Sequence, residues 1–292
     1  MIRYYYIQAN RDKYPIAKMV RWAKVSKSGF YAWLRRKPSL RDKTNADLLQ
    51  QIQKIHDENH HTYGSTRITR ELRDNGYPVN HKHVERIMRE NDLRAKARRK
   101  FKATTYSDHN LPVDENLLDR DFTAEHPGEK MVSDITYIPT DEGWLYLAGV
   151  MDLCGRKMVG VAMGSRMTKQ LVMDALQDAI NHTNNVEGCI LHSDRGSQYC
   201  SKAYQQMISQ KHIVSSMSRK GNCWDNAPME SFWGTLKQEW LNDRHFRTRD
   251  EGKAAIFEYI WIFYNRKRMH SSLDYTTPEK YYSARLAQEL PA

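Results

Sequence analysis

From about residue 130 the chain changes character. Three short strand-like runs, 131–138, 144–152 and 157–163, follow one another with Gly143 and Gly155 at the breaks. Gaps that short leave room for hairpin turns and not for crossovers, so the three runs form an antiparallel meander. A helical period then runs from about Lys169 to His182, with Leu171, Val172, Ala175, Leu176, Ala179 and Ile180 on its buried side. A strand at 189–193, a helix at about 201–210, a short strand at 212–216 and a helix around Glu230 complete the order.

Three strands followed by helix, strand, helix, strand and helix is the order of an RNase H-like α/β fold, a mixed five-stranded sheet flanked by helices. Three acids punctuate it. Asp134 lies in the strand Val132-Ser133-Asp134-Ile135-Thr136-Tyr137-Ile138. Asp194 ends the strand that begins at Cys189. Glu230 opens a helix after Asp225-Asn226-Ala227-Pro228-Met229. Carboxylates carried to one point by different rigid elements suit two magnesium ions, with manganese as a substitute, holding a phosphodiester for in-line attack. Lys237 is seven residues beyond Glu230, nearly two helical turns, so it projects from the same face about 10 Å further along and is placed to touch a phosphate. Asp152 is a weaker candidate ligand at the end of the second strand. His192 shares Asp194's strand face as a supporting or packed residue.

Charge is unevenly distributed. Residues 1–100 carry +14 and the remainder −3, within a net charge of +11. A basic front joined to a near-neutral back fits a DNA-gripping region attached to a catalytic one. Residues 1–40 contain a helix-turn-helix-like module. In it Ile16, Met19, Val20 and Trp22 share a helical face, Ser26 or Ser28 caps a second helix, and Arg35 and Arg36 are offered to DNA. Residues 44–103 form a second helical module with Leu48, Leu49, Ile52 and Ile55 on one stripe. Its next helix, at about 66–75, stops at Gly76, and Asn80 caps a third. Its tail places Arg94, Lys96, Arg98, Arg99, Lys100 and Lys102 within nine positions, enough to neutralise several phosphates. Residues 104–129 read as a linker, 130–245 as the catalytic core and 246–292 as a helical extension. Arg195, Gln198 and Tyr199 after Asp194, and Arg219 and Lys220 before the Glu230 helix, are further candidate DNA contacts.

Several classes are excluded. The four cysteines form no Cys-x-x-Cys pair, so neither a zinc finger nor a disulfide framework is expected. His56 and His60 have ligand-like spacing but read as a helix face. No apolar run approaches the ~20 residues of a membrane span, and no signal peptide is visible, so a bacterial cytoplasmic, DNA-associated protein is expected.

The words His192-Ser193-Asp194-Arg195-Gly196-Ser197-Gln198-Tyr199 and Gly221-Asn222-Cys223-Trp224-Asp225-Asn226-Ala227-Pro228-Met229-Glu230-Ser231-Phe232 resemble the OrfB transposases of the insertion sequence 3 family. So do Ser133-Asp134-Ile135-Thr136-Tyr137-Ile138, Tyr264-Asn265 with His270-Ser271-Ser272-Leu273, and Thr277-Pro278-Glu279. Upstream, Tyr63-Gly64 with Arg67-Ile68 and Glu71-Leu72 is similar to the family's helical module.

The resemblance covers nearly the whole chain. It implies an RNase H-like fold related to retroviral integrases, with Asp134, Asp194 and Glu230 as the catalytic acids and Lys237 as the basic residue the family often carries. Met131 stands where the family usually has tryptophan, and Ser65-Thr66 replaces a more basic or aromatic pair. The implied activity is cleavage at terminal inverted repeats to expose a 3′-hydroxyl, then strand transfer into target DNA. The implied partners are DNA, an upstream OrfA segment as fusion or partner, and further copies of the chain on DNA. The rival expectations are a nuclease of the same fold that does not join, and a non-catalytic helix-turn-helix regulator.

Overall fold

The computed structural model describes residues 2–37, 39–96, 112–220 and 222–289. The basic residues Arg98, Arg99, Lys100 and Lys102 lie outside the described residues.

The front of the chain is helical. Helices α1 (Ile2–Ala9), α2 (Ile16–Trp22) and α3 (Lys27–Leu34) pack around Ile7, Met19, Val20, Ala23 and Phe30. Ser26 caps α3 by accepting from the Gly29 amide. Helices α4 (Leu40–Glu58), α5 (Ser65–Asp74) and α6 (His81–Glu90) enclose a second core of Leu48, Ile52, Ile55, Ile68, Leu72 and Val84. A capping box between Ser39 and Asp42 starts α4, and Asn80 caps α6. Gly76 follows α5 at φ 85°, a left-handed conformation that glycine adopts without steric cost.

The back of the chain is built on strands β1 (Lys130–Thr140), β2 (Gly143–Asp152), β3 (Lys157–Gly164), β4 (Ile190–Ser193) and β5 (Val214–Met217), in the order β3-β2-β1-β4-β5. The first three form the expected antiparallel meander, and β4 and β5 add in parallel. Helices α7 (Lys169–His182) and α8 (Lys202–Gln210) cover one face, over Met131, Ala148, Val150 and Val159. Helices α9 (Ala227–Leu236) and α10 (Arg249–Phe257) cover the other, over Val132, Leu145, Leu147 and Met151. These sets alternate along β1 and β2, as a sheet buried on both faces requires. A last helix, α11 (Pro278–Glu289), ends the described chain.

Two stretches are more integrated than their sequence suggests. Residues 112–129 lack periodicity yet are tied to the core: Leu118 is buried in it, and the Leu117 amide donates to Ser216 Oγ at 2.9 Å. Beyond α10, a π-helical turn (Glu258–Tyr264) inserts Tyr259, Ile260, Phe263 and Tyr264 into the core cluster.

Glu239 connects these parts. It is buried in a second π-helical turn (Lys237–Leu241), where Arg268 donates to both of its oxygens at 2.7 Å and Tyr259 Oη donates at 2.8 Å. Arg67 of α5 reaches the same carboxylate at 4.0 Å, and Lys96 Nζ donates to the Glu239 carbonyl at 2.8 Å. Removing one partner of a buried ion pair strands the other, which costs about 3–5 kcal/mol. Glu239→Ala is therefore expected to lower unfolding free energy by about that amount in chemical denaturation. A loss below ~1 kcal/mol would show that the network carries little stability.

Candidate active site

The parallel ladder between β1 and β4 pairs Lys130 with Ile190, Met131 with Leu191 and Val132 with His192. Two residues beyond the last pair come Asp134, within β1, and Asp194, just past the end of β4. The ladder ends at that pair, and beyond it the two acids stay near enough for the charge of Asp194 to act on Asp134, which lies on the face that α9 covers. The two acids are thus brought together by strand pairing, although 60 positions separate them in the numbering.

Helix α9 brings the third acid to this face. Its start is pinned at two places. The Asn226 side-chain amide donates to the Ser133 carbonyl at 3.0 Å, beside Asp134. Asp225 is buried and accepts from the Arg219 backbone and guanidinium and from Arg120 Nε. These donors, Arg219 foremost, hold the Asp225 carboxyl well below the usual range. Pro228 occupies the first turn of α9, where its missing N–H costs nothing. Glu230 follows and is exposed.

Trp233, one turn after Glu230, donates its indole N–H to Asp134 Oδ2 at 3.1 Å. The ring can come this close because β2 carries Gly149 opposite Asp134; a Cβ there would meet the Trp233 ring at 2.8 Å. Asp194 Oδ1 accepts from the Gly196 amide at 2.8 Å. The three carboxylates do not all lie within 4.8 Å of one another; among the described residues the trio of side chains that does is His56, Asp57 and His61. Those two imidazoles already share a hydrogen bond at 2.9 Å, while His60 packs on Trp240.

Burial first, and the charge on Asp194 second, push the Asp134 carboxyl well above the usual carboxylate range. Partial desolvation by the chain around it also raises Glu230, although the residue stands exposed. His192 lies on the same strand face with its ring nitrogens on Ser216 Oγ at 2.8 Å and Ser218 Oγ at 3.1 Å, and burial lowers it to about 4. It is a neutral, packed support. A carboxylate such as Asp134, whose ionisation is opposed by burial and by neighbouring acids, is chemically suited to a hard divalent cation, which reverses both effects.

The other sequence candidates divide. Asp152 does not join the acids: its oxygens accept from the Gly128 and Cys154 amides at 2.7 and 2.8 Å in the buried end of β2. Tyr199 is corrected from a surface contact to a core residue, 1% exposed, with its hydroxyl against Ser133 Oγ at 3.0 Å. Lys96 turns inward to Glu239 and Asp243. Arg195 Nε donates to the Ser218 carbonyl, and Gln198 to the Met167 carbonyl at 3.4 Å. Arg35, Arg36, Arg94 and Lys220 are exposed. Lys237 holds its ammonium 5.4 Å from the Tyr137 ring centre, three residues along β1 from Asp134, whose charge acts on it. Trp233, Gly149 and Asn226, which shape the site, carry no signal in spacing or composition that singles them out.

The family profile for the integrase core domain matches residues 124–223, a second integrase core profile matches 211–278, and an HTH-like domain profile matches 43–101. The chain is 48% identical over 262 residues to the insertion element IS600 uncharacterized 31 kDa protein of Shigella sonnei, covering 88% of this chain and 96% of that one. It is 42% identical over 288 residues to transposase InsF for insertion sequence IS3A of Escherichia coli K12, covering 98% and 100%. Among solved structures, the HTLV-2 integrase catalytic core domain in complex with magnesium aligns with a TM-score of 0.41 at 16% identity, over 54% of this chain and 97% of that one. Among the described residues no helix is long and apolar enough to cross a membrane.

The raised Asp134 makes a signed prediction. A carboxyl whose folded pKa lies above its unfolded value near 4 favours the folded state at low pH, and that advantage is lost as pH rises. Asp134→Asn should therefore stabilise the protein in EDTA, on the order of 1 kcal/mol, with a larger gain in melting temperature at pH 8 than at pH 5. A gain independent of pH would contradict this electrostatic account.

Proposed function

The chain belongs to the insertion sequence 3 family of transposases, DDE polynucleotidyl transferases with an integrase catalytic core, and on that premise we propose that Asp134, Asp194 and Glu230 are its catalytic acids. The observation that supports this reading is that the β1–β4 ladder and α9 bring Asp194 and Glu230 close enough for their charges to act on Asp134.

These acids would hold two magnesium ions, which when bound activate the attacking oxygen and stabilise the leaving 3′-oxygen. The chain's own residues prepare the place. Trp233 fixes one Asp134 oxygen, the Gly196 amide fixes one Asp194 oxygen, and Asn226 anchors the start of α9 to β1. Glu230 stands exposed at the edge where a strand of DNA can reach it. Lys237 supplies a positive point charge beside β1 that suits a phosphate near the scissile bond. Water attack at the terminal inverted repeats exposes a 3′-hydroxyl, and that hydroxyl then attacks target DNA. Both displacements use the same acids, and neither needs a covalent bond between protein and DNA. The chain acts as a dimer or larger assembly on DNA, with an OrfA segment fused or alongside.

Labelled DNA ends incubated with magnesium test the assignment. Asp134→Asn, Asp194→Asn or Glu230→Gln should each lose cleavage and joining by several orders of magnitude while retaining DNA binding. Near-normal strand transfer by any one of them removes that residue from the site. Joining of pre-cleaved ends by the unmodified protein separates a transposase from a nuclease.

Lys237→Ala should lower strand transfer by a modest factor, roughly tenfold, because it removes one phosphate contact and no acid. The magnesium concentration for half activity should stay the same. A steep rise in that concentration with unchanged end binding would assign Lys237 to organising the acids instead.

A further inference from the structure

A polar cavity of about 350 Å³ opens beside α9. Pro228, Ser231, Phe232 and Thr235 line it, and at helical spacing these project from the side of α9 turned away from Glu230. Three arginines from separate parts of the chain also line it: Arg67 from α5, Arg156 from the β2–β3 turn and Arg268 from the segment before α11.

The balance of charge in this cavity is uneven. Among the described residues the one carboxylate on its wall, Glu239, is occupied by two bonds from Arg268 and one from Tyr259. Arg67 comes no closer to Glu239 than 4.0 Å and makes no hydrogen bond among the described residues. Arg156 is half-buried, yet its guanidinium has neither a hydrogen bond nor an ion pair among the described residues. It sits at φ 51°, uncommon for a residue other than glycine. Arginine does not shed its charge in a protein, so three guanidinium groups share a single carboxylate. His270, also on the wall, reports their convergence: burial lowers it to about 4, and the charges of Arg268, Arg156 and Arg67 all push the same way. The imidazole is neutral and adds nothing to the balance.

We propose that this cavity binds a backbone phosphate of DNA, gripped by Arg67 and Arg156 while Arg268 and Glu239 hold the wall in shape. Planar guanidinium forks match phosphate oxygens, and a phosphate supplies the missing negative charge. The site lies across α9 from the acids, so it would hold the strand at a second point and fix its direction over the first. This proposal rests on the reading of the chain as a DNA-handling transposase.

The test is the salt dependence of binding to a labelled duplex by the full chain. Arg156 stands outside the bonded Glu239 network, so Arg156→Gln should keep the melting temperature. It should weaken binding roughly three- to tenfold at physiological salt and reduce the slope of log affinity against log salt by about 1. Arg156→Lys should keep the slope, since a point charge still meets the phosphate. An Arg156→Gln slope equal to that of the unmodified protein overturns the proposal while leaving the transposase reading in place. Absence of salt-sensitive binding by the unmodified protein overturns both. A phosphate-dependent rise in melting temperature that Arg156→Gln removes, with the DNA slope unchanged, assigns the cavity to free phosphate and also overturns it.

Discussion

The parallel pairing of β1 with β4 is the constraint on which the site depends. It brings the end of β4 beside Asp134, where burial and the charge of Asp194 make the Asp134 charge harder to hold. Such an arrangement opposes folding unless something offsets it. Within the chain the offsets include the Ile135 backbone and the Trp233 indole on Asp134 and the Gly196 amide on Asp194. The tension is thus local, and the rest of the fold holds it in place.

That support reaches well beyond the sheet. Gly149 lets Trp233 approach β2, and Asn226 and Asp225 set where α9 begins. The far end of α9 runs into a π-helical turn, where Glu239 gathers Arg268, Tyr259 and Arg67. The Tyr63 hydroxyl accepts from the Met269 amide at 2.8 Å and donates to the Lys267 carbonyl at 3.1 Å. Helical module, catalytic sheet and C-terminal segment are therefore tied together by buried polar contacts. Breaking them would move α9, and with α9 both Glu230 and the arginine cavity.

Much of this is legible in the sequence because period and spacing carry it. The strand runs, α7 and the caps at Ser26 and Asn80 follow from local rules that the tertiary structure does not override. Helix α1 escapes such a reading because Tyr4, Tyr5 and Tyr6 blur any apolar stripe. The π-helical turns have no sequence period to announce them. Tyr199 misleads because a phenol serves equally as a surface contact and as a core residue, and only the packing around Ser133 decides. Lys96 sits in a basic run that suggests phosphate contact, but the Glu239 carbonyl draws it inward. The acids are legible one by one. The ladder that brings the end of β4 toward Asp134, and the glycine that admits Trp233, are properties of paired strands and not of any local word.

The central claim is that the three acids form one divalent-cation site. Manganese binding followed by electron paramagnetic resonance on the DNA-bound chain tests it most directly. Two bound ions per active site are expected in the unmodified protein, and loss of that binding in Asp194→Asn. Equal manganese occupancy in the two proteins would contradict it.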